Sequence, residues 1–388
     1  MLTPYDEFPV HQSSRPFSHV PVTDFSWDDG YYFGAYSADE GIFVFVGLRV
    51  STNSNVIGGY AGINVRGRQY TMRCSRRWRP DFSTRIGPLS IEFLRPMELI
   101  RLRLDDNDSA LTFELHWHAL AEPYLESHHH ATSRGRVTTD QSRYVQCGAP
   151  RGWIGFDGSR IEVGDGWYGS RDHSWGLYDG RPPLSDPAEW LPPAELEGTP
   201  RALRFWMPFQ TEAAVGFLHI HEGAGGERLG LNDVFGTPFE GWIDRDGRRL
   251  ALVDATHSLE FLPDTRAMCR GQVVATDIDG GEWTIGLDLA SPPWLPITIG
   301  YVPGGWSDGG TIATYHPADT GVYLEWDDFD HATQPFTHTL HGGLEIPGLH
   351  GMEHLARVDL SGPGAVRGNG LAQVELFIQG PYAPYDFS

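Results

Sequence analysis

Ten consecutive residues, Trp167-Tyr168-Gly169-Ser170-Arg171-Asp172-His173-Ser174-Trp175-Gly176, bring a carboxylate, an imidazole, a guanidinium and three large aromatic rings into one short stretch. Side chains alternate between the two faces of a strand. As a strand, the run therefore puts Arg171, His173 and Trp175 on one side and Asp172 and Ser174 on the other. An aspartate in such surroundings can be kept protonated by apolar walls and act as an acid. It can also be kept ionised by an arginine and orient the imidazole. The same residues equally suit a structural polar knot, with Asp172 accepting backbone N–H bonds and Trp175 filling a core.

Histidines supply a rival signal. Glu114, His116 and His118 share one strand face, and so do His219 and His221. His-x-His on a strand is a known metal-ligand spacing, but each pair needs further ligands from elsewhere in the chain. Pocket-lining or structural histidine is the default, and no metal is expected. His128-His129-His130 lies in a polar stretch and reads as a loop. His350-Gly351-Met352-Glu353-His354 has its glutamate at the wrong offset for a helical zinc-protease motif, and its glycine disfavours a helix. The acidic runs 105–108 and 325–330 follow strand patterns and read as solvated turns or strand ends. Gly223-Ala224-Gly225-Gly226 precedes no helix, so it is not a dinucleotide fingerprint, and no G-x-S-x-G elbow occurs.

The elements that must position these groups are strands. Residues 42–48 (IFVFVGL) form a solid apolar run, while 100–104 (IRLRL) and 111–118 (LTFELHWH) alternate strictly around the polar turn 105–109. The second half repeats the style at 215–220, 250–253, 272–276, 283–289, 321–326 and 374–378, punctuated by Asp-Gly turns. No sustained stripe at helical spacing occurs, and 47 glycines with 28 prolines suit a turn-rich chain. Six prolines concentrate at 181–200, which reads as a linker. The expected organisation is a β domain at 1–180, a Pro-rich linker at 181–200 and a second β domain at 201–388.

Composition narrows the chemistry. The 388 residues carry a net charge of −22, and every one of the 29 basic residues is arginine. A chain without lysine cannot build Schiff-base, pyridoxal or P-loop sites. Strong negative charge opposes nucleic-acid binding, and the one arginine cluster, RCSRRWR at 73–79, is too local to reverse that. Three widely spaced cysteines form no CxxC and suggest no disulfide framework. Neither a leader pattern nor a long apolar run is present, so a cytoplasmic protein without membrane insertion is the expectation.

The run GSRDHSWG resembles the G-x-R-D-x-S-W-G signature of a lipocalin-like superfamily. That superfamily includes bacterial carotenoid 1,2-hydratase (hydroxyneurosporene synthase), AttH-like proteins and related fungal Diels–Alderases. Phe25-Ser26-Trp27 with Tyr31-Tyr32-Phe33 resembles the opening strand, and residues 53–62 (NSNVIGGYAG) resemble the next block. Gly351-Met352-Glu353-His354 and residues 368–375 resemble the closing strands. Leu177-Tyr178 follow the motif where many members carry a hydrophobic residue and then arginine. The resemblance implies two lipocalin-like antiparallel β-barrels or sandwiches packed together. It also implies proton-driven chemistry on a large hydrophobic molecule without a redox cofactor.

On that reading Asp172 donates the proton, with Arg171 and His173 tuning it. Trp175, Tyr168, Trp27, Tyr32, Trp117, Glu353 and His354 would line the substrate site. The expected activity is hydration, dehydration, isomerisation or cyclisation of an isoprenoid, steroid or polyketide, with no cofactor. A non-catalytic carrier or sensor of such a ligand is the alternative, and a metal enzyme using the His-x-His pairs is the third reading.

Overall fold

The computed structural model describes residues 4–7, 9, 13–79, 83–133, 135–178, 199–230, 239–301, 305–340 and 343–388. The chain is all-β, and its two large sheets form two barrel-like bodies, beside a small sheet of Thr337–Thr339 and Glu345–Pro347. The first sheet is nearly closed. It runs, in spatial order, through Arg68–Arg77, Val56–Val65, Ile42–Ser51, Trp27–Ser37, Tyr168–Leu177, Arg136–Phe156, Leu111–Ala119 and Leu99–Leu104. The second is a closed antiparallel barrel of eight strands, sealed where Leu203–Thr211 pairs with Val366–Ile378. Among the described residues no helix is long and apolar enough to cross a membrane. The Pro-rich segment expected at 181–200 lies outside the described residues up to position 198.

Burial follows the sequence patterns. Leu99–Leu104 and Leu111–Ala119 alternate buried and half-buried residues, as a sheet with one face on the core requires. Ile42–Ser51 is buried on both faces. Val44, Val46 and Leu48 fill the first barrel, while Phe43 and Phe45 point out of it, into a cluster shared with the second barrel. There Phe45 stacks on Trp294 with ring centroids 3.9 Å apart and planes within 7°. A strand covered on both sides has no polar face, which is why this run reads as continuously apolar.

One strand crosses between the halves. Val322–Asp330 follows the second barrel's Glu282–Trp294 strand, yet it pairs with Arg68–Arg77 at the edge of the first sheet. The acidic run there is not a solvated strand end. Glu325 and Asp327 are buried and ion-paired with Arg73, whose side chain is itself fully buried. Arg73 also donates to the Thr298 carbonyl at 2.8 Å. Arg73, of the cluster at 73–79, thus ties the first sheet to the segment that follows the second barrel's Glu282–Trp294 strand.

Gly176 ends the motif strand with φ at +128°, and a Cβ there would sit 2.2 Å from the Asp140 carbonyl oxygen. Side chains rarely tolerate that backbone region. Gly176→Ala is expected to destabilise the fold by about 1–3 kcal/mol, read from urea unfolding midpoints.

Candidate active site between the barrels

The alternating faces of Tyr168–Leu177 divide the sequence candidates. Asp172 faces the second barrel together with Ser170, Ser174 and Tyr168, and its antiparallel neighbour on Trp27–Ser37 is Tyr32. Glu353, on Gly351–Gly362 of the second barrel, meets this face through a short relay. Ser170 donates to Gln373 Oε1, and Gln373 Nε2 donates to Glu353 Oε2 at 2.8 Å. A second tie runs from Tyr36 to Gln210 at 2.9 Å and from Gln210 to the Gly169 carbonyl at 3.1 Å. Asp172, Tyr32, Tyr168 and Glu353 are therefore brought together by strands from both barrels.

Asp172 keeps some accessible surface, while Tyr32, Ser170, Ser174, Arg49, Glu353 and Gln373 around it are buried. Its Oδ1 is enclosed and accepts no hydrogen bond among the described residues. Burial lifts its carboxyl above the usual range, against the opposing pull of Arg143 and Arg49. Neither arginine is spent on Asp172 directly. Arg49 donates to Asp28 at 2.9 Å and Ser174 at 2.8 Å, and Arg143 grips both oxygens of Glu126 at 2.9 and 2.7 Å. Glu353 is pushed up to about 7, chiefly by burial and, more weakly, by the charge of Asp172. Burial and the charges of Glu353, Tyr36 and Asp172 hold the Tyr32 phenol protonated. The result is a group of proton-holding side chains in a low-dielectric seam.

Arg171, His173, Trp175, Trp117 and Trp27 lie on the opposite face. Arg171 is fully buried inside the first barrel, donating to Gln146 at 2.9 Å and Tyr144 at 3.0 Å. The rings of Phe33, Trp117 and Tyr144 surround its guanidinium at 5.1–5.5 Å. His173 Nε2 contacts Asp29 at 2.8 Å and packs on Tyr31 and Trp175. Trp27 is half-buried at the strand end opposite Leu177. His354 points into the second barrel, where it accepts from the Met268 N–H at 3.0 Å and meets the Val374 carbonyl at 3.1 Å. The largest opposing charges on Asp172 come from Arg143 and Arg49, with Glu126 and Arg204 acting more weakly. Arg143 lies on the strand beside the motif and Arg49 one strand further on, beyond Trp27–Ser37, and only the pairing register could have shown that they belong near it.

Glu126, held by Arg143, opens a second polar cluster between the barrels. His219 Nδ1 lies 3.4 Å from Glu126 and 3.3 Å from Glu240, and His129 stacks near His219. One donor atom from each of Glu126, His129, His219 and Glu240 falls within 4.8 Å of all the others. His116 and His118 instead sit on the outer side of the first sheet. There burial lowers the pKa of His118, and the charges of His116, Arg151 and Arg95 add to it. Two open grooves lie elsewhere. One, of about 640 Å³, is flanked by Asp105 and Trp326, and the other, of about 360 Å³, by His350 and Phe387.

Comparison with known proteins agrees with this architecture. Residues 2–333 match the family of unknown function DUF8625. The chain belongs to this family. No curated protein matches the chain in sequence. Among solved structures it is similar to an AttH-like protein from Nitrosomonas europaea. That match has 11% identity and a TM-score of 0.50, and covers 95% of this chain and 98% of that one. It is also similar to CghA, solved with Sch210972 (9% identity, 91% and 89% covered, TM-score 0.49). A third is kievitone hydratase from Nectria haematococca (8% identity, 89% and 88% covered, TM-score 0.43). The AttH-like likeness is one of fold, and this DUF8625 chain has the lipocalin-like two-barrel fold that its motif resembles. The other two likenesses are too loose to carry an argument.

Proposed function

We propose that this protein is an acid/base enzyme acting on a hydrophobic small molecule, with Asp172 as the proton donor. The observation that carries the reading is the enclosed Asp172 Oδ1, which accepts no hydrogen bond among the described residues. An enclosed carboxyl oxygen left without a hydrogen bond is destabilising, and such groups concentrate where they react. Burial favours its neutral form, so the proton is available to a substrate. Tyr32 and Glu353 flank it as further proton-holding groups. Tyr36, Phe43, Phe45, Tyr60 and Trp294 form an aromatic wall along the same seam. Aromatic faces stabilise a passing carbocation, which suits protonation of an alkene in hydration, dehydration, isomerisation or cyclisation. The motif resemblance points to the same chemistry, and to isoprenoid, steroid or polyketide substrates.

The reading is tested by incubating the protein with panels of such alkenes and following gain or loss of water, or isomerisation, by mass spectrometry. Conversion by wild type that Asp172→Asn loses supports it. Wild-type and Asp172→Asn proteins that bind a panel member equally and convert none would leave a carrier as the better account.

A further inference from the structure

We propose that Glu126, His129, His219 and Glu240 bind one zinc ion that clips the two barrels together. This site is separate from the chemistry assigned to Asp172. Glu126 and His129 belong to the first sheet's side, at and before the His129–Ser133 strand. His219 and Glu240 lie on Val215–Glu222 and Phe239–Arg245 of the second barrel. Neither barrel holds the set alone.

The spacing fits a metal better than hydrogen bonds. Ligands about 2.0–2.1 Å from a tetrahedral zinc lie roughly 3.3–3.4 Å from each other. His219 Nδ1 stands 3.4 Å from Glu126 Oε2 and 3.3 Å from Glu240 Oε1. A charge-assisted hydrogen bond to a carboxylate would close to about 2.7–2.9 Å.

The tautomers point the same way. Arg201 can only donate, and its Nη1 lies 3.4 Å from His221 Nε2, which must then accept. The His219 Nε2, 3.1 Å from that same atom, is therefore the donor. In neutral His219 this leaves Nδ1 with its lone pair aimed at two carboxylates. An acceptor facing two acceptors needs a metal ion or a proton between them. His129 adds a second, half-buried imidazole whose enclosed Nε2 finds no hydrogen-bond partner among the described residues.

The outer groups are those a metal site needs. Arg143 holds Glu126 by both oxygens, Trp206 Nε1 donates to it at 3.2 Å, and the Ser127 N–H holds Glu240 Oε2 at 2.7 Å. His221 orients His219 from behind. Such groups fix ligand orientation in metalloproteins. Two imidazoles and two carboxylates suit zinc, and four protein ligands make a closed, structural shell.

The test uses full-length, tag-free protein stripped with a chelator and titrated with zinc and, separately, cobalt(II). One zinc should bind per chain with submicromolar affinity and raise the melting temperature, because only the folded chain presents the site. Cobalt should show the intense visible bands of a four-coordinate ion. His219→Ala and Glu240→Gln should each weaken zinc by more than the roughly 10–100-fold that loss of an outer group causes. The double variant His116→Ala/His118→Ala should bind as wild type does. The wild-type readings stand even where a variant fails to fold. Absence of submicromolar binding, a weak octahedral cobalt spectrum, or binding that survives His219→Ala would overturn the proposal. In that event a proton shared by Glu240 and His219 bridges the barrels instead.

Discussion

Asp172→Asn is expected to reduce turnover of a converted alkene by about 10²–10⁴-fold, the range that general acid catalysis contributes. Binding of that alkene should change little, because the amide keeps the shape of the carboxyl. Stability should move the other way. Burial raises the Asp172 pKa above its unfolded value. The folded protein then holds a proton that the unfolded chain has already released, so stability falls as pH rises from the ordinary aspartate range to the folded value. Asparagine removes that penalty. The variant should unfold at higher urea than wild type at pH 7 and lose the advantage at acid pH. A variant that is both less active and less stable would show that Asp172 serves the structure.

Glu353 provides a companion test. Its pKa of about 7 makes wild-type stability decline between the usual glutamate range and about pH 7. Glu353→Gln should flatten that decline, as measured by unfolding midpoints across the pH series.

The second large effect concerns Arg73. Its guanidinium is fully buried and serves both Glu325 and Asp327, which are buried too. Burial alone would push Glu325 up. Arg73 and the Ser307 and Tyr323 hydroxyls overcome this and hold it below the usual glutamate range. Arg73→Ala would leave two carboxylates without their cation, and removing one partner of a buried pair costs about 3–5 kcal/mol. Adding Glu325→Gln and Asp327→Asn should recover much of the loss, since neutral amides need no counter-charge. Urea unfolding reads both effects. A loss within about 0.5 kcal/mol, as at an ordinary surface position, would contradict the assigned role.

Arg73 also shows how far the sequence could be read. The strand at 321–326 is visible as a pattern, but its partner is marked only by the arginine cluster at 73–79, and their pairing spans some 250 positions and leaves no periodic mark. Local signals fared better. Alternation at 100–104 and 111–118 gave the strands, and the ten-residue run at 167–176 gave Asp172 with the division of its two faces. The continuous run at 42–48 showed a strand, though not that Phe43 and Phe45 would meet Trp294 across the seam. Arg143, Arg49 and Gln373 escaped notice because each reaches the site through sheet register or barrel packing. Of the two His-x-His pairs, His116 and His118 face outward near arginines, while His219 meets acids and an imidazole from both barrels. Spacing alone could not tell those pairs apart.

The most direct test of the central claim is the protonation state of Asp172 at neutral pH. Infrared difference spectra between wild type and Asp172→Asn, recorded across a pH series, report the C=O band of a protonated carboxyl. The proposed acid predicts that this band persists in wild type above the ordinary aspartate range, is absent in the variant, and is lost only as pH rises further. A carboxylate signal at pH 7, with titration in the ordinary aspartate range, would contradict the account.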